Sequence, residues 1–278
     1  MNYLPKEWYV AYITWLMNEL DKIPVCSICR HNGKQVVRFY TAPKKYREKT
    51  EGTPGYDKLC KLVQQRKDIK AAIYYNKKIL RHHYKTEYNA VKDNYYIEPN
   101  TTSPLNKDYW ISSLQHSRKI KGDIEYQSDG VDFKSRFEIY VASEIKSLGL
   151  LAFYDPRVFI NEYYERFADY LFFFPMFNRC AFMELLGGLD DYKYKKRTKN
   201  KLCEYVDNSF YIGRDIFIMS GDETYMPGQE QIRAAIIAMV TTMCELYIKK
   251  RSHQDDSSVL YQYGIIPASS HSATNSGD

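Results

Sequence analysis

Residues 166–213 read RFADYLFFFPMFNRCAFMELLGGLDDYKYKKRTKNKLCEYVDNSFYIG and set acidic side chains closely against apolar runs. Asp169 stands within one such run, and Glu184 ends a second run fifteen residues later. If both runs are strands joined by a turn over 175–179, the two carboxylates occupy neighbouring positions of one sheet. Divalent cations such as Mg²⁺ take one or two carboxylates plus water and substrate phosphate. The spacing is compatible with a metal-binding pair, and the commoner alternative is two ordinary turn or edge residues.

A basic helix is predicted after the glycine break at 187–188. In this lysine-rich segment Tyr194, Lys201 and Tyr205 recur at spacings of seven and four. These spacings place the three side chains on one face of a helix. The apolar run over 215–219 then predicts another strand.

A helix and two strands are predicted upstream of these elements. The helix begins at Ser135, carries Glu138 in its first turn and ends at Gly149. The residues alone indicate that Glu138 stabilises the helix N-terminus through the helix dipole. Two strands over 150–154 and 158–163 follow.

The order of these elements resembles the nuclease core of the PD-(D/E)XK superfamily. The matching segments are Ser135-Arg136-Phe137-Glu138, Ala168-Asp169 and Met183-Glu184-Leu185-Leu186-Gly187. Two positions depart from the family pattern: Ala168 stands in place of proline, and Leu186 stands where the family has its lysine. The resemblance covers residues 130–250, a little under half of the chain.

The resemblance implies a restriction-endonuclease-like fold of the α/β (α+β) class, a mixed central sheet flanked by helices. It also implies a Mg²⁺- or Mn²⁺-dependent endonuclease or exonuclease that hydrolyses the phosphodiester bonds of nucleic acid, with DNA as the expected substrate and RNA as the alternative. The implied metal ligands are Asp169, Glu184 and Glu138. Lys201 completes the implied catalytic set, because some branches of the superfamily supply the missing lysine from the following helix, and Lys195 and Lys196 are the alternatives. If no lysine reaches the site, the domain would bind nucleic acid without cutting it.

Positive charge is concentrated in the N-terminal part of the chain. The 278 residues carry a net charge of +6, with a pI near 8.8, which suits a polyanionic partner. Helices are predicted over 7–20 and 56–88, an Asn-Gly hairpin over 25–40 and a loop over 42–55. Lysine, arginine and tyrosine crowd the long helix, as phosphate-backbone contact requires, and a solvated helix face is the alternative. The predicted nucleic-acid contacts are Lys67, Lys70, Lys77, Lys78, Arg81, Lys195 and Lys196.

Four regions are predicted along the chain. Residues 1–98 form a basic hairpin-plus-helix module, 99–132 a linker, 133–251 the nuclease-like core and 252–278 a disordered tail. The first region resembles a small module of bacterial mobile-element proteins. This resemblance implies an origin in a phage or another mobile element.

Other classes of protein are disfavoured by the sequence. No apolar run is long enough to cross a bilayer and the N-terminus lacks the features of a secretory leader, so we expect a cytoplasmic protein without a membrane partner. P-loop, dinucleotide-binding, G-x-S-x-G and H-E-x-x-H motifs are absent from the sequence. A homodimer is compatible with the nuclease prediction, because cutting both strands needs two sites. The remaining alternatives are an inactive nuclease-like protein that binds nucleic acid and a protein-interaction factor that engages a host-defence component.

Overall fold

The computed structural model describes residues 3–42, 45–114, 126–128, 130–160, 165–221 and 225–251. They form a mixed α/β structure with several sheets. The helices are α1 (Lys6–Lys22), α2 (Tyr56–His82), α3 (Tyr88–Val91), α4 (Lys107–Leu114), α5 (Arg136–Ser147), α6 (Tyr192–Asp207) and α7 (Gln229–Tyr247). The strands are β1 (Cys26–His31), β2 (Lys34–Ala42), β3 (Lys45–Thr50), β4 (Tyr95–Ile97), β5 (Tyr126–Ser128), β6 (Val131–Phe133), β7 (Leu151–Tyr154), β8 (Arg157–Phe159), β9 (Glu165–Phe167), β10 (Tyr170–Phe174), β11 (Arg179–Leu186), β12 (Ile216–Ser220) and β13 (Ile248–Lys250). Within these residues, no helix is both long and apolar enough to cross a membrane.

A four-stranded mixed sheet has the strand order β12-β11-β10-β7. Strand β10 is antiparallel to both β7 and β11, whereas β11 and β12 run parallel. All of β10 is buried, and all of β11 is buried except the partly exposed Leu186. Strands that are buried along their whole length need cover on both faces. A 3-10 turn over Pro175–Phe177 and a left-handed Asn178 (φ 50°) connect β10 to β11.

The two faces of this sheet pack against different helices. Because side chains alternate along a strand, Tyr170 and Phe172 lie in one hydrophobic cluster and Leu171 and Phe173 in another. The first cluster includes apolar side chains of α1, α5 and α7, and the second includes those of α4 and α6. Trp110 of α4 stacks on Phe173 with ring centroids 5.6 Å apart. The sheet is therefore the middle layer of three.

Helix α5 begins and ends as its sequence predicts. The Ser135 hydroxyl accepts a hydrogen bond from the Glu138 backbone N–H at 3.3 Å, and the Ser135 backbone N–H donates to Glu138 Oε2 at 2.9 Å. This reciprocal arrangement is a capping box, which satisfies two donors that the first helical turn leaves free. Gly149 follows the helix with φ 67°, a conformation that favours glycine.

The predicted N-terminal hairpin is confirmed, and the loop predicted after it is partly wrong. Strands β1 and β2 pair in antiparallel register around Asn32 and Gly33, whose φ values of 50° and 76° suit a tight hairpin turn. Within the predicted loop over 42–55, β3 pairs with β2. Arg38 of β2 donates two hydrogen bonds to Glu48 Oε1 of β3, at 2.9 and 2.7 Å. A strand held by charged cross-strand pairs lacks the apolar alternation by which a strand is detected in sequence.

Helix α1 shares a hydrophobic cluster with the mixed sheet. Trp8 contacts Phe174 and Phe177 edge-on, with ring centroids 5.8 and 6.2 Å apart. Strand β4 also pairs with β13 in antiparallel register. The division into regions 1–98 and 133–251 stays a prediction, and these contacts join the two regions directly.

The predicted linker over 99–132 packs against the sheet where the structure describes it. Asn100 and Leu105 are both buried, and the Leu105 carbonyl accepts from the Cys180 backbone N–H of β11 at 2.8 Å. Helix α4 then covers the α6 side of the sheet. The tail predicted over 252–278 lies outside the described residues.

Candidate functional site

The structure brings Asp169 and Glu184 together at one end of the mixed sheet. Tyr170 of β10 is paired with Met183 of β11, so the same register continued by one residue sets Asp169 opposite Glu184. The Leu185 backbone N–H donates to Asp169 Oδ2 at 2.6 Å, which fixes one carboxylate oxygen beside β11. Both carboxylates line a cavity of about 640 Å³.

Glu184 is more deeply buried than Asp169. It is 2% exposed, with Oε2 accepting from Lys201 Nζ at 2.6 Å and Oε1 accepting from the Tyr205 hydroxyl at 2.8 Å. Burial raises the pKa of Glu184 to about 7, although the nearby Lys201 charge favours the ionised form. The Asp169 pKa is also raised, mainly by burial and against the effect of Lys201. The site therefore holds two carboxyl groups that compete for one close ammonium.

Lys201 reaches the carboxylates from helix α6. The Asp191 carboxylate caps this helix by accepting from the Lys193 backbone N–H at 2.7 Å. Lys201 Nζ also donates to the Phe167 carbonyl at 2.7 Å, so it bridges β9 and β11. Leu186, at the position where the family pattern has lysine, lines the same cavity. The ammonium beside Glu184 therefore comes from Lys201 of α6 and not from position 186 of β11.

Other residues of α6 differ in their placement. Lys195 and Lys196 are exposed and do not line the cavity. Arg197, which the sequence reasoning missed, does line it together with Tyr194 and Lys201. The signal for Arg197 was available, because residues three and four apart share a helix face.

Glu138 approaches the cavity from α5, on the other side of the sheet. It is 6% exposed, and its Oε2 accepts from the Lys134 and Ser135 backbone N–H groups at 2.7 and 2.9 Å and from the Tyr154 hydroxyl at 2.8 Å. Burial raises its pKa, the Tyr154 hydrogen bond opposes this, and the Asp169 charge adds to it. The predicted placement of Glu138 in the first turn of α5 is confirmed, and its contact there is a capping box with Ser135. Its role as a metal ligand stays a prediction.

A fourth carboxylate, Asp155, was missed by the sequence reasoning. It follows β7, is 2% exposed, and its backbone N–H donates to the Asp169 carbonyl at 2.9 Å. Lys134 Nζ lies 2.6 Å from Oδ1, whereas Oδ2 has no hydrogen-bond partner. The sequence offers only an Asp-Pro step between two strands, a pattern typical of an exposed turn.

The donor set suits a hard divalent cation, although the described residues contain no group of three or more His, Cys, Asp or Glu side chains arranged to hold a metal ion. Asp169 and Glu184 supply carboxylate oxygens, and Mg²⁺ binds with one or two carboxylates while keeping several waters. Asp155 also lines this cavity, and its Oδ1 is paired with Lys134 Nζ at 2.6 Å. Mg²⁺ or Mn²⁺ would be held by Asp169 and Glu184, and Lys201 would then share Glu184 with the ion.

The predicted nucleic-acid contacts on α2 lie on a largely exposed helix surface. Four are exposed: Lys67, Lys70, Lys78 and Arg81. Lys77 is partly buried, with its ammonium 4.9 Å from the ring centroid of Tyr88. Arg81 pairs with Glu87 at 2.5 Å. These side chains do not line the cavity, so their contact with nucleic acid stays a prediction.

The comparisons with known proteins do not assign a function to this site. No protein-family model matches the chain, and no curated protein and no solved structure is significantly similar to it. The function is therefore argued from the geometry of the site.

Proposed function

We propose that the chain is a metal-dependent nuclease with a restriction-endonuclease-like core of the PD-(D/E)XK type. The element order α5-β7-β10-β11-α6-β12 and the sheet order β7-β10-β11-β12 support this assignment. The observation that carries it is the contact between Lys201 Nζ and Glu184 Oε2 at 2.6 Å, beside Asp169. Two carboxylates and one ammonium therefore line the same cavity. Metal-dependent hydrolysis of phosphodiesters uses this combination of groups.

Each residue has a separate task in the proposed reaction. When bound, a divalent cation polarises the scissile phosphate and lowers the pKa of an attacking water. Tyr205 holds Glu184 Oε1 in place, and the Leu185 N–H holds Asp169 Oδ2. Lys201 stabilises the negative charge that develops on the phosphate and helps to orient or deprotonate the water.

Nucleic acid is the proposed substrate because the cavity opens beside a basic helix. Helix α6 carries exposed lysines near its N-terminus, where phosphate contact is electrostatically favoured. The net charge of +6 also attracts a polyanionic substrate. We propose DNA as the substrate, and RNA is assayed beside it.

A second candidate function is nucleic-acid binding without cleavage. Leu186 favours it, because this side chain lines the cavity where the family pattern has a lysine. In this case the ion pair between Lys201 and Glu184 would be a structural contact that keeps a buried carboxylate satisfied.

The test is cleavage of plasmid DNA, single-stranded DNA and RNA with Mg²⁺, Mn²⁺ or EDTA. We expect metal-dependent cutting that falls by roughly 10²-fold or more in Asp169→Asn and in Glu184→Gln. The matched control is Asp207→Asn, which removes an exposed carboxylate of the same helix α6 and should leave cutting unchanged. Unchanged cutting in either site variant would overturn the assignment. Nucleic-acid binding without metal-dependent cutting would select the second candidate.

A further inference from the structure

Positive charge is concentrated in the three N-terminal strands and in the helix that packs on them. Strands β1, β2 and β3 carry six lysine and arginine side chains and one carboxylate, and α2 carries eight and two. The strands therefore have a net charge of +5 and the helix a net charge of +6, whereas the whole chain has +6. The rest of the chain is net negative, so the attraction for an anionic partner is strongest at these elements.

The two faces of the β1-β2-β3 sheet have different surroundings. Val37 of β2 belongs to a hydrophobic cluster with Tyr56 and Val63 of α2, so the helix covers its face of the sheet. Because side chains alternate along a strand, Arg38 and Tyr40 lie on the opposite face. We call the face that carries Arg38 and Tyr40 the outer face.

Hydrogen bonds connect the two edge strands across the outer face. His31 Nδ1 of β1 lies 3.2 Å from Glu48 Oε2 of β3, and Arg38 donates to Glu48 Oε1 at 2.9 and 2.7 Å. The contact from β1 to β3 passes over β2, which accounts for the burial of Val36 in the middle strand. The single carboxylate of these strands is thus neutralised by residues of the outer face itself.

The other cations of the strands are exposed. Within the described part of the chain none of them has an ion-pair partner: Arg30, Lys34, Lys45, Arg47 and Lys49. Lys34 lies on the outer face, because it is paired directly with His31. The sheet therefore presents positive charge that no acidic side chain of the described residues offsets.

Two tyrosines lie side by side at the other end of the outer face. Tyr40 of β2 is paired with Tyr46 of β3, and their ring centroids are 6.0 Å apart. The Arg38 guanidinium lies 4.2 Å from the centroid of the Tyr46 ring and helps to fix its position. Tyr40 and Tyr46 nevertheless remain 39% and 49% exposed. The outer face therefore offers aromatic surface and positive charge together.

This combination is the one by which proteins bind single-stranded nucleic acid. Cations contact the backbone phosphates, and bases stack on aromatic rings whatever their sequence. In a duplex the bases are stacked on one another, so their faces are not available to the two tyrosines. A single strand presents those faces.

We propose that the outer face binds single-stranded nucleic acid, with bases stacked on Tyr40 and Tyr46 and phosphates at exposed cations such as Lys34. None of these three residues lines the described cavity of the candidate site. The outer face is also the face of the sheet that α2 does not cover. The inference goes beyond the proposed nuclease function, because it assigns a second binding surface that holds a single strand whether or not the chain cuts it.

The experiment measures the binding of labelled oligothymidine and of a labelled duplex, each about 20 residues long, to the full chain by fluorescence anisotropy. EDTA is present so that metal-dependent cutting does not occur. Tyr40→Leu and Tyr46→Leu should each raise the Kd for oligothymidine roughly fivefold or more and change the Kd for the duplex less than about twofold. Tyr140→Leu is the matched control, because Tyr140 is a 47% exposed tyrosine of α5, and it should change neither.

Two further variants separate stacking from other effects of the substitutions. Tyr40→Phe and Tyr46→Phe keep the rings and should stay within about twofold of the wild type for oligothymidine. Thermal unfolding checks that each leucine variant is folded. Lys34→Ala changes no aromatic ring and should reduce the slope of log binding constant against log salt concentration for oligothymidine by roughly 0.7.

Four results would overturn the inference. The first is a wild-type protein that does not bind oligothymidine, and the second is unchanged binding in both leucine variants. The third is an equal loss for the duplex. The fourth is a loss in the phenylalanine variants as large as that in the leucine variants, because the hydroxyl groups and not the rings would then make the contact.

The outcomes also distinguish this inference from the proposed function. Oligothymidine binding that depends on the two tyrosines, in a protein without metal-dependent cutting, would overturn the nuclease proposal and leave the outer face as a binding surface. Metal-dependent cutting together with oligothymidine binding that is unchanged in both leucine variants would do the reverse.

Discussion

Replacement of Lys201 by methionine is expected to destabilise the protein in a strongly pH-dependent way. Methionine keeps most of the side-chain volume but leaves Glu184, which is 2% exposed, with the Tyr205 hydroxyl as its remaining partner. Removing one partner of a buried ion pair costs about 3–5 kcal/mol. Lys201 keeps 26% of its side chain exposed, so water can replace part of the lost contact. We therefore expect a loss of about 2–3 kcal/mol at pH 8, which lowers Tm by roughly 4–12 °C.

The sign of the pH dependence follows from the raised pKa of Glu184. Burial raises this pKa from 4.5 to about 7, so between these values the folded chain binds more protons than the unfolded chain. The contribution of Glu184 to the free energy of unfolding of the wild type therefore falls as pH rises from about 4.5 to about 7. Above that range it is constant. Loss of the Lys201 charge raises the pKa of Glu184 further, so the variant continues to lose stability above pH 7. At pH 5 Glu184 is protonated in both proteins, and the difference should shrink to about 1 kcal/mol or less.

The loss at pH 8 and its decrease at pH 5 are both measured by urea unfolding in EDTA, monitored by circular dichroism. Lys199→Met is the matched control, because Lys199 is an exposed lysine two residues away on the same helix. It should change the free energy of unfolding by less than about 0.5 kcal/mol at either pH. An equal loss for Lys201→Met at pH 5 and pH 8, or no loss at pH 8, would refute the role given to the ion pair.

Three further perturbations have defined outcomes. Arg179→Met leaves the buried Asp215 without its closest buried cation, so we expect a loss of about 3–5 kcal/mol in urea unfolding, and a loss below 1 kcal/mol would contradict this account of the pair. Gly33→Ala places a side chain at φ 76° in the hairpin turn and should cost roughly 1–2 kcal/mol, measured by thermal unfolding, whereas an unchanged Tm would argue against the left-handed turn. If Lys195 and Lys196 contact phosphates, replacing both by alanine should reduce the slope of log binding constant against log salt concentration by roughly 2, and an unchanged slope would remove them from the interface.

Much of the central structure follows from local patterns in the sequence. The capping box of α5 is encoded by Ser135 and Glu138 at the required spacing of three. Strand β10 is a run of five apolar residues, which suits a strand covered on both faces. The shared face of Lys201 and Tyr205 on α6 followed from helix periodicity, whereas the expectation that Lys201 lies near Glu184 came from the resemblance to the nuclease superfamily.

Features that depend on distant partners were not predictable from the sequence. Strand β3 is a charged segment whose pairing depends on contacts such as that between Arg38 and Glu48. The burial of Asp155 depends on Lys134, which lies 21 residues earlier and reaches it only after α5 and β7 have packed. Local propensity carries no information about such contacts, because they form only when separate elements meet.

The packing of α1 sets the order in which the chain can complete its fold during synthesis. Trp8 is made more than 160 residues before its aromatic partners Phe174 and Phe177. At about 5–20 residues per second, the ribosome needs roughly 10–30 s to deliver these partners. During this interval the apolar face of α1 remains uncovered by the sheet, and β4 waits a slightly shorter time for β13. A chaperone that shields the apolar face of nascent α1 would therefore act over tens of seconds.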